Sequence, residues 1–182
     1  CQLEDERVLD PVEDLINGDL CQDDQYLKVV GAMKFLRKKN PLLAYEFLEK
    51  LGLGNESTRE YFVEFLPSFS SSQDRLIHYL LELLAQDMTL NVTRAVVAHL
   101  EKAPPRKIVP RVLKVFLGSQ NEHATLEIYK YLSMYASRWN LDAVKTLARD
   151  AENPEKRELL YALLESIQTR CSGKQPGLVD EQ

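Results

Sequence analysis

Apolar residues recur along the chain at three- and four-residue spacings, the period of a helix that buries one face against a neighbour. Leu76, Leu80, Leu83 and Leu84 fall on one such face, widened by Ile77 and Leu81. Leu43, Phe47, Leu48 and Leu51 form another, as do Ile128, Tyr131, Leu132 and Tyr135, and the set Leu159, Leu160, Leu163, Leu164 and Ile167. No segment keeps the apolar/polar alternation between hairpin turns that a half-buried strand needs. The β-branched run from Asn91 to Val97 is the one ambiguous stretch, and its continuation to Leu100 predicts a helix there too.

The breaks between these stripes carry helix-start chemistry. Asp10-Pro11, Asn40-Pro41 and Asn153-Pro154 each set a side-chain acceptor before a proline. The acceptor satisfies one free amide of the first turn and the proline omits another. Asp24, Asn55, Ser72, Thr89, Asn121 and Asn140 are further N-cap candidates, and Pro104-Pro105 marks one more break. Starts near 11, 24, 41, 56, 72, 89, 105, 121, 140 and 154 lie 13 to 19 residues apart. Two such steps make about 32 residues, the length of a helix–turn–helix repeat. Gly52 and Gly54 can end the helix over 41–51. Pro110 leaves two options: a helix from Pro105 with Pro110 inside it, or a long connection and a start at Pro110.

Short connections between helices of similar length force antiparallel neighbours. The expected fold is therefore all-α, a right-handed stack of antiparallel helix pairs (an α-solenoid) with about ten helices. A closed helical bundle buries the same stripes and is the alternative. The tetratricopeptide pattern of Trp, Leu-Gly, Tyr, Ala and Pro does not recur, nor does the ankyrin Thr-Pro-Leu-His. By elimination the body resembles HEAT-like repeats, which tolerate degenerate sequence. Residues 1–10 read as an acidic tether, 11–171 as the helical-repeat domain and 172–182 as a flexible tail without an apolar stripe.

Composition narrows the picture. With 182 residues, 45% hydrophobic and 28% charged, the chain is globular in type. It is long enough to bury roughly 70% of its unfolded surface without disulfide or metal. No apolar run approaches the roughly 20 residues needed to cross a bilayer. The net charge of −5 hides an asymmetry: the first 24 residues hold nine acids against Arg7, which leaves +3 for the other 158. That balance is too acidic for a uniform nucleic-acid binder, so no nucleic acid is expected as a partner.

The three cysteines, Cys1, Cys21 and Cys171, match no zinc spacing, and an odd number cannot all pair internally. Cys21 and Cys171 are expected as thiols, with a bridge between them the alternative in an oxidising compartment. The start Cys1-Gln2, followed by an acidic stretch, resembles the mature N-terminus of bacterial lipoproteins. In that family the signal peptide is removed immediately before the cysteine that becomes acylated. The resemblance covers only these first residues. It implies lipidation of Cys1 and a place in the bacterial cell envelope, facing the periplasm or the surface. The alternative is a domain cut from a longer intracellular chain.

The chain has no Gly-rich phosphate loop, no His-Glu-x-x-His and no Gly-x-Ser-x-Gly. His78, His99 and His123 fall on three predicted helices, so no metal site is expected, and the acids fall on wet helix faces. No catalytic residue and no cofactor is expected. One constellation stands out. Lys102, Arg106, Lys107, Arg111 and Lys114 supply five bases and no acid over 102–114. Lys107, Arg111 and Lys114 share one helix face. Lys34, Arg37, Lys38 and Lys39 end a helix, where the dipole favours bases, but the 102–114 group begins one, where it does not. Among the aromatics, mostly expected in the core, Trp139 is the candidate anchor. The expected function is a non-catalytic scaffold or adaptor that holds a protein with an acidic surface through Lys102, Arg106, Lys107, Arg111, Lys114 and Trp139. It touches a membrane only through a lipid on Cys1. The alternatives are a helical interaction domain of a larger intracellular assembly and an enzyme with a pocket between helices.

Overall fold

The computed structural model of the chain describes residues 23–172 apart from Asp87 and Gln120. Nine α-helices make up most of the described residues, which contain no strand. Their starts fall within two residues of nine of the ten expected ones; the start near 11 lies outside the described residues, as do the tether, Cys1, Cys21 and most of the tail. The chain divides into two compact units, one up to Ser70 and one from Ser71.

In the first unit α1 (Asp23–Lys39) packs on α2 (Pro41–Leu53), which packs on α3 (Glu56–Phe65) and leads to a short 3-10 turn, Leu66–Ser68. Val29, Met33 and Leu36 of α1, Phe47, Leu48 and Leu51 of α2, and Phe62 of α3 are fully or almost fully buried. Asn40 caps α2 by accepting from the Leu43 amide at 3.3 Å, and Asn55 caps α3 by accepting from Thr58 at 3.1 Å. Gly54 ends α2 in an extended conformation, not a left-handed one. It must be glycine for a different reason: a Cβ there would collide with the hydroxyl of Thr58. Arg37 donates to the Ser68 carbonyl at 2.6 Å and lies 5.5 Å from the Phe69 ring centre.

The second unit holds α4 (Asp74–Ala85), α5 (Leu90–Leu100), α6 (Pro105–Gly118), α7 (Glu122–Tyr135), a 3-10 turn (Arg138–Asn140), α8 (Leu141–Asp150) and α9 (Pro154–Cys171). The main contacts join α4 with α5, α6 with α7 and α8 with α9, and then α4 with α6, α5 with α7 and α7 with α9. Neighbouring and next-but-one helices therefore pack together in this unit. The predicted stripes face inward: Leu76, Ile77, Leu80, Leu81, Leu83 and Leu84 are buried, as are Ile128, Tyr131 and Leu132, and Leu160, Leu163 and Ile167. The ambiguous run from Asn91 lies wholly within α5.

Two details of the sequence reading change. Asp24 lies inside α1, and Ser72 stands before Gln73, which occupies the N-cap of α4 without a side-chain bond. Pro110 sits within α6, which begins at Pro105. The proline lacks an N–H, so the Arg106 carbonyl loses its intrahelical donor. Pro110 is solvent-exposed, where water can take the donor's place.

Candidate functional site

The turn between α7 and α8 is built by a capping box. The Ser137 amide donates to Asn140 Oδ1 at 3.0 Å, and the Asn140 amide donates back to the Ser137 carbonyl at 2.8 Å. Asn140 therefore serves this turn and makes no side-chain cap on α8 itself. Burying Asn140 leaves its neighbour facing outward: Trp139 is 66% exposed. A tryptophan left in water forfeits about 2 kcal/mol of transfer energy, which sets it apart from the core aromatics.

Two guanidinium groups lie over the indole. The Arg138 carbon is 4.9 Å from the ring centre and the Arg106 carbon 5.4 Å, both within cation–π range. The ring borders two clefts. The larger, about 480 Å³, is lined by Pro105, Arg106, Pro110, Tyr135, Ser137 and Asn140 besides Trp139. The smaller, about 230 Å³, is lined by Ala136, Ser137, Arg138, Trp139, Ile167, Arg170 and Cys171. Each cleft thus holds one of the two stacked arginines, and among the described residues neither is lined by a carboxylate. Arg170 is committed, donating to the carbonyls of Met134 at 3.1 Å and Ala136 at 3.0 Å. Cys171 is a free, exposed thiol.

The basic group foreseen over 102–114 separates into parts. Lys102 lies in the turn before α6, and Arg106 joins Trp139 and the larger cleft. Lys107 and Lys114 are exposed, while Arg111 is half-buried with its Nη2 3.5 Å from His78 Nδ1. His78 in turn lies 3.3 Å from Glu82. Lys102, Arg106, Lys107 and Lys114 form no ion pair among the described residues. In the sequence Pro105 and Pro110 read as helix punctuation and Tyr135 as part of an apolar stripe, while Arg138 was not singled out. The available signal was Ser137-x-x-Asn140, a capping motif that turns the residue between outward.

The strongly perturbed groups are buried between helices and line neither cleft. Burial, aided by Lys102, pushes His99 down to about 4, and burial raises Tyr131, with Tyr135 and Glu101 adding to it. Among the described residues no three His, Cys, Asp or Glu side chains gather as metal ligands. No described helix is long and apolar enough to cross a membrane. Compared with known proteins, the chain matches no family model, no curated protein and no solved structure.

Proposed function

We propose that the protein is a non-catalytic adaptor whose helix pairs continue as a right-handed, HEAT-like stack and which binds a protein of acidic surface. One observation carries the reading: Trp139 stands exposed beside Arg106, at the start of a helix whose bases have no carboxylate partners among the described residues. Interface hot spots favour tryptophan and arginine because both bury large area and keep a polar handle. Unpaired bases on one face raise the encounter rate with an acidic partner. The i,i+2 contacts of the second unit support the stacked arrangement, since a stack brings alternate helices together in each row. With Cys1 acylated, the adaptor would be held at a bacterial envelope membrane, and nucleic acid has no part in this reading.

The test is a charge reversal. Lys107→Glu with Arg111→Glu is expected to weaken capture of the native partner at least tenfold, while the helical circular dichroism stays unchanged. Undiminished capture by the double variant would remove the basic face from the mechanism.

A further inference from the structure

We propose that the two clefts beside Trp139 take an extended acidic peptide segment, with one apolar side chain seated in the larger cleft and flanking carboxylates paired with Arg106 and Arg138. The proposal rests on the adaptor reading and specifies the form of its partner: a linear segment, not a folded acidic face.

The walls of the larger cleft decide the anchor. Pro105, Pro110, the Tyr135 ring and the indole of Trp139 present mostly carbon. A volume near 480 Å³ admits one large side chain together with the backbone that carries it. Prolines and stacked rings lose little conformational entropy when covered, so the site is pre-organised. The capping box between Ser137 and Asn140 fixes the turn that carries Trp139.

The charges decide the flanks. Arg106 belongs to one cleft and Arg138 to the other, and no described lining residue of either is acidic. Neither arginine forms an ion pair among the described residues. A guanidinium stacked on an aromatic ring keeps its N–H edges free, and that edge matches a carboxylate in bidentate geometry. A chain passing from the larger cleft across Trp139 to the smaller would meet Arg106 in the first and Arg138 in the second. Concave sites on both sides of a ridge fit a narrow segment better than a flat bilayer. A nucleic-acid strand would need successive exposed aromatics along a basic groove, and Tyr135, the second ring at the cleft, is half-buried.

The chain contains a single tryptophan, so its fluorescence reports this site directly. The full-length protein would be titrated with a pool of short acidic peptides randomised at one central position, and with the same pool carrying Asn and Gln for Asp and Glu. An oligothymidine and vesicles of anionic phospholipid serve as the competing ligands. The expected result is a saturable shift in Trp139 emission with the acidic pool, selecting Leu, Met or an aromatic at the centre. Binding should weaken by about tenfold or more with a central Ala or in the Arg106→Glu variant. It should also weaken with salt, since both arginines face water. Trp139→Ala, followed by anisotropy of a labelled peptide, should lose binding while its circular dichroism is retained.

No saturable response to the acidic pool overturns the proposal, as does an equal response to the amide pool or preferential binding of the oligonucleotide or the vesicles. If peptide binding fails while Lys107→Glu with Arg111→Glu still abolishes partner capture, the adaptor reading stands and only the cleft is lost. If both fail, both readings fall.

Discussion

His99 is 2% exposed and neither of its ring nitrogens has a hydrogen-bond partner among the described residues. Burial disfavours its charged form and Lys102 repels it further, so the folded protein holds the ring neutral down to about pH 4. In the unfolded chain the same ring takes a proton near pH 6.5. The unfolded state therefore binds the proton first as the pH falls, and stability drains away between about 6.5 and 4. By pH 5 the loss from this residue is about 2 kcal/mol. The carboxylates of Glu127 and Asp150 are held below their ordinary values by Lys130 and Arg149, so their share is lost only at more acid pH. Urea unfolding of wild type and His99→Phe at pH 7.5 and pH 5 separates the two. The variant should be largely free of the loss across that interval; an identical loss in both proteins would acquit His99.

The same residue scale shows how local chemistry can be read and misread. Asn40, Asn55, Asn121 and Asn153 all cap the helices that follow them, because an Asn at that position reaches amides only two or three residues on. Thr89 holds the N-cap of α5 without a side-chain bond, and Asn140 is diverted to the turn before it. The backbone sets Asn140 apart, since it enters α8 already helical while the capping Asn55, Asn121 and Asn153 are extended.

Among the elements, α9 ties three others together through their carbonyl ends. Lys156 donates to the carbonyls of Leu117 and Ser119 at the end of α6, Arg157 to that of Ala151 after α8, and Arg170 to those of Met134 and Ala136 after α7. Each base meets the negative end of a helix, where free carbonyls need donors. Lys156 is buried, which lowers its pKa, and its ammonium lies 6.0 Å from the Phe116 ring centre. Lys156→Met keeps the stem but leaves two carbonyls unpaired, at a cost of about 1–3 kcal/mol. The denaturation midpoint should fall accordingly; an unchanged midpoint would mean that water replaces the ammonium without loss. This use of bases also narrows the binding surface. Arg170 is spent on the fold, whereas Arg106 and Lys107, at the start of α6, form no ion pair among the described residues.

For the whole molecule, charge and the proposed anchor act together. The net −5 arises from the acids of the first 24 residues, while the rest of the chain is slightly basic. Were Cys1 acylated, the acidic segment beside it would be repelled from anionic lipid, and the acyl chains alone would hold the protein. One acyl chain binds only marginally, and two or more hold firmly. The intact mass of the protein from its native source is expected to exceed that of the bare chain by a diacylglyceryl group and an acyl group. A native polypeptide continuing upstream of Cys1 would end the envelope assignment and make the neighbouring domains the place to seek the partner.

Helix class and helix positions were legible without tertiary structure, because both follow from interactions a few residues long. The stripe from Leu76 to Leu84 announces a buried face, and Asn153-Pro154 announces a start, whatever lies across from them. Five bases over 102–114 and a lone Trp139 were visible as candidates, but not that Arg106 alone would reach the indole while Arg111 turned to His78. Those choices join residues 33 positions apart in each case. They depend on how α6 lies against α4 on one side and on the turn after α7 on the other. Exposure of Trp139 and the capping work of Lys156 and Arg170 were settled the same way, because burial and long-range hydrogen bonds exist only once helices have packed.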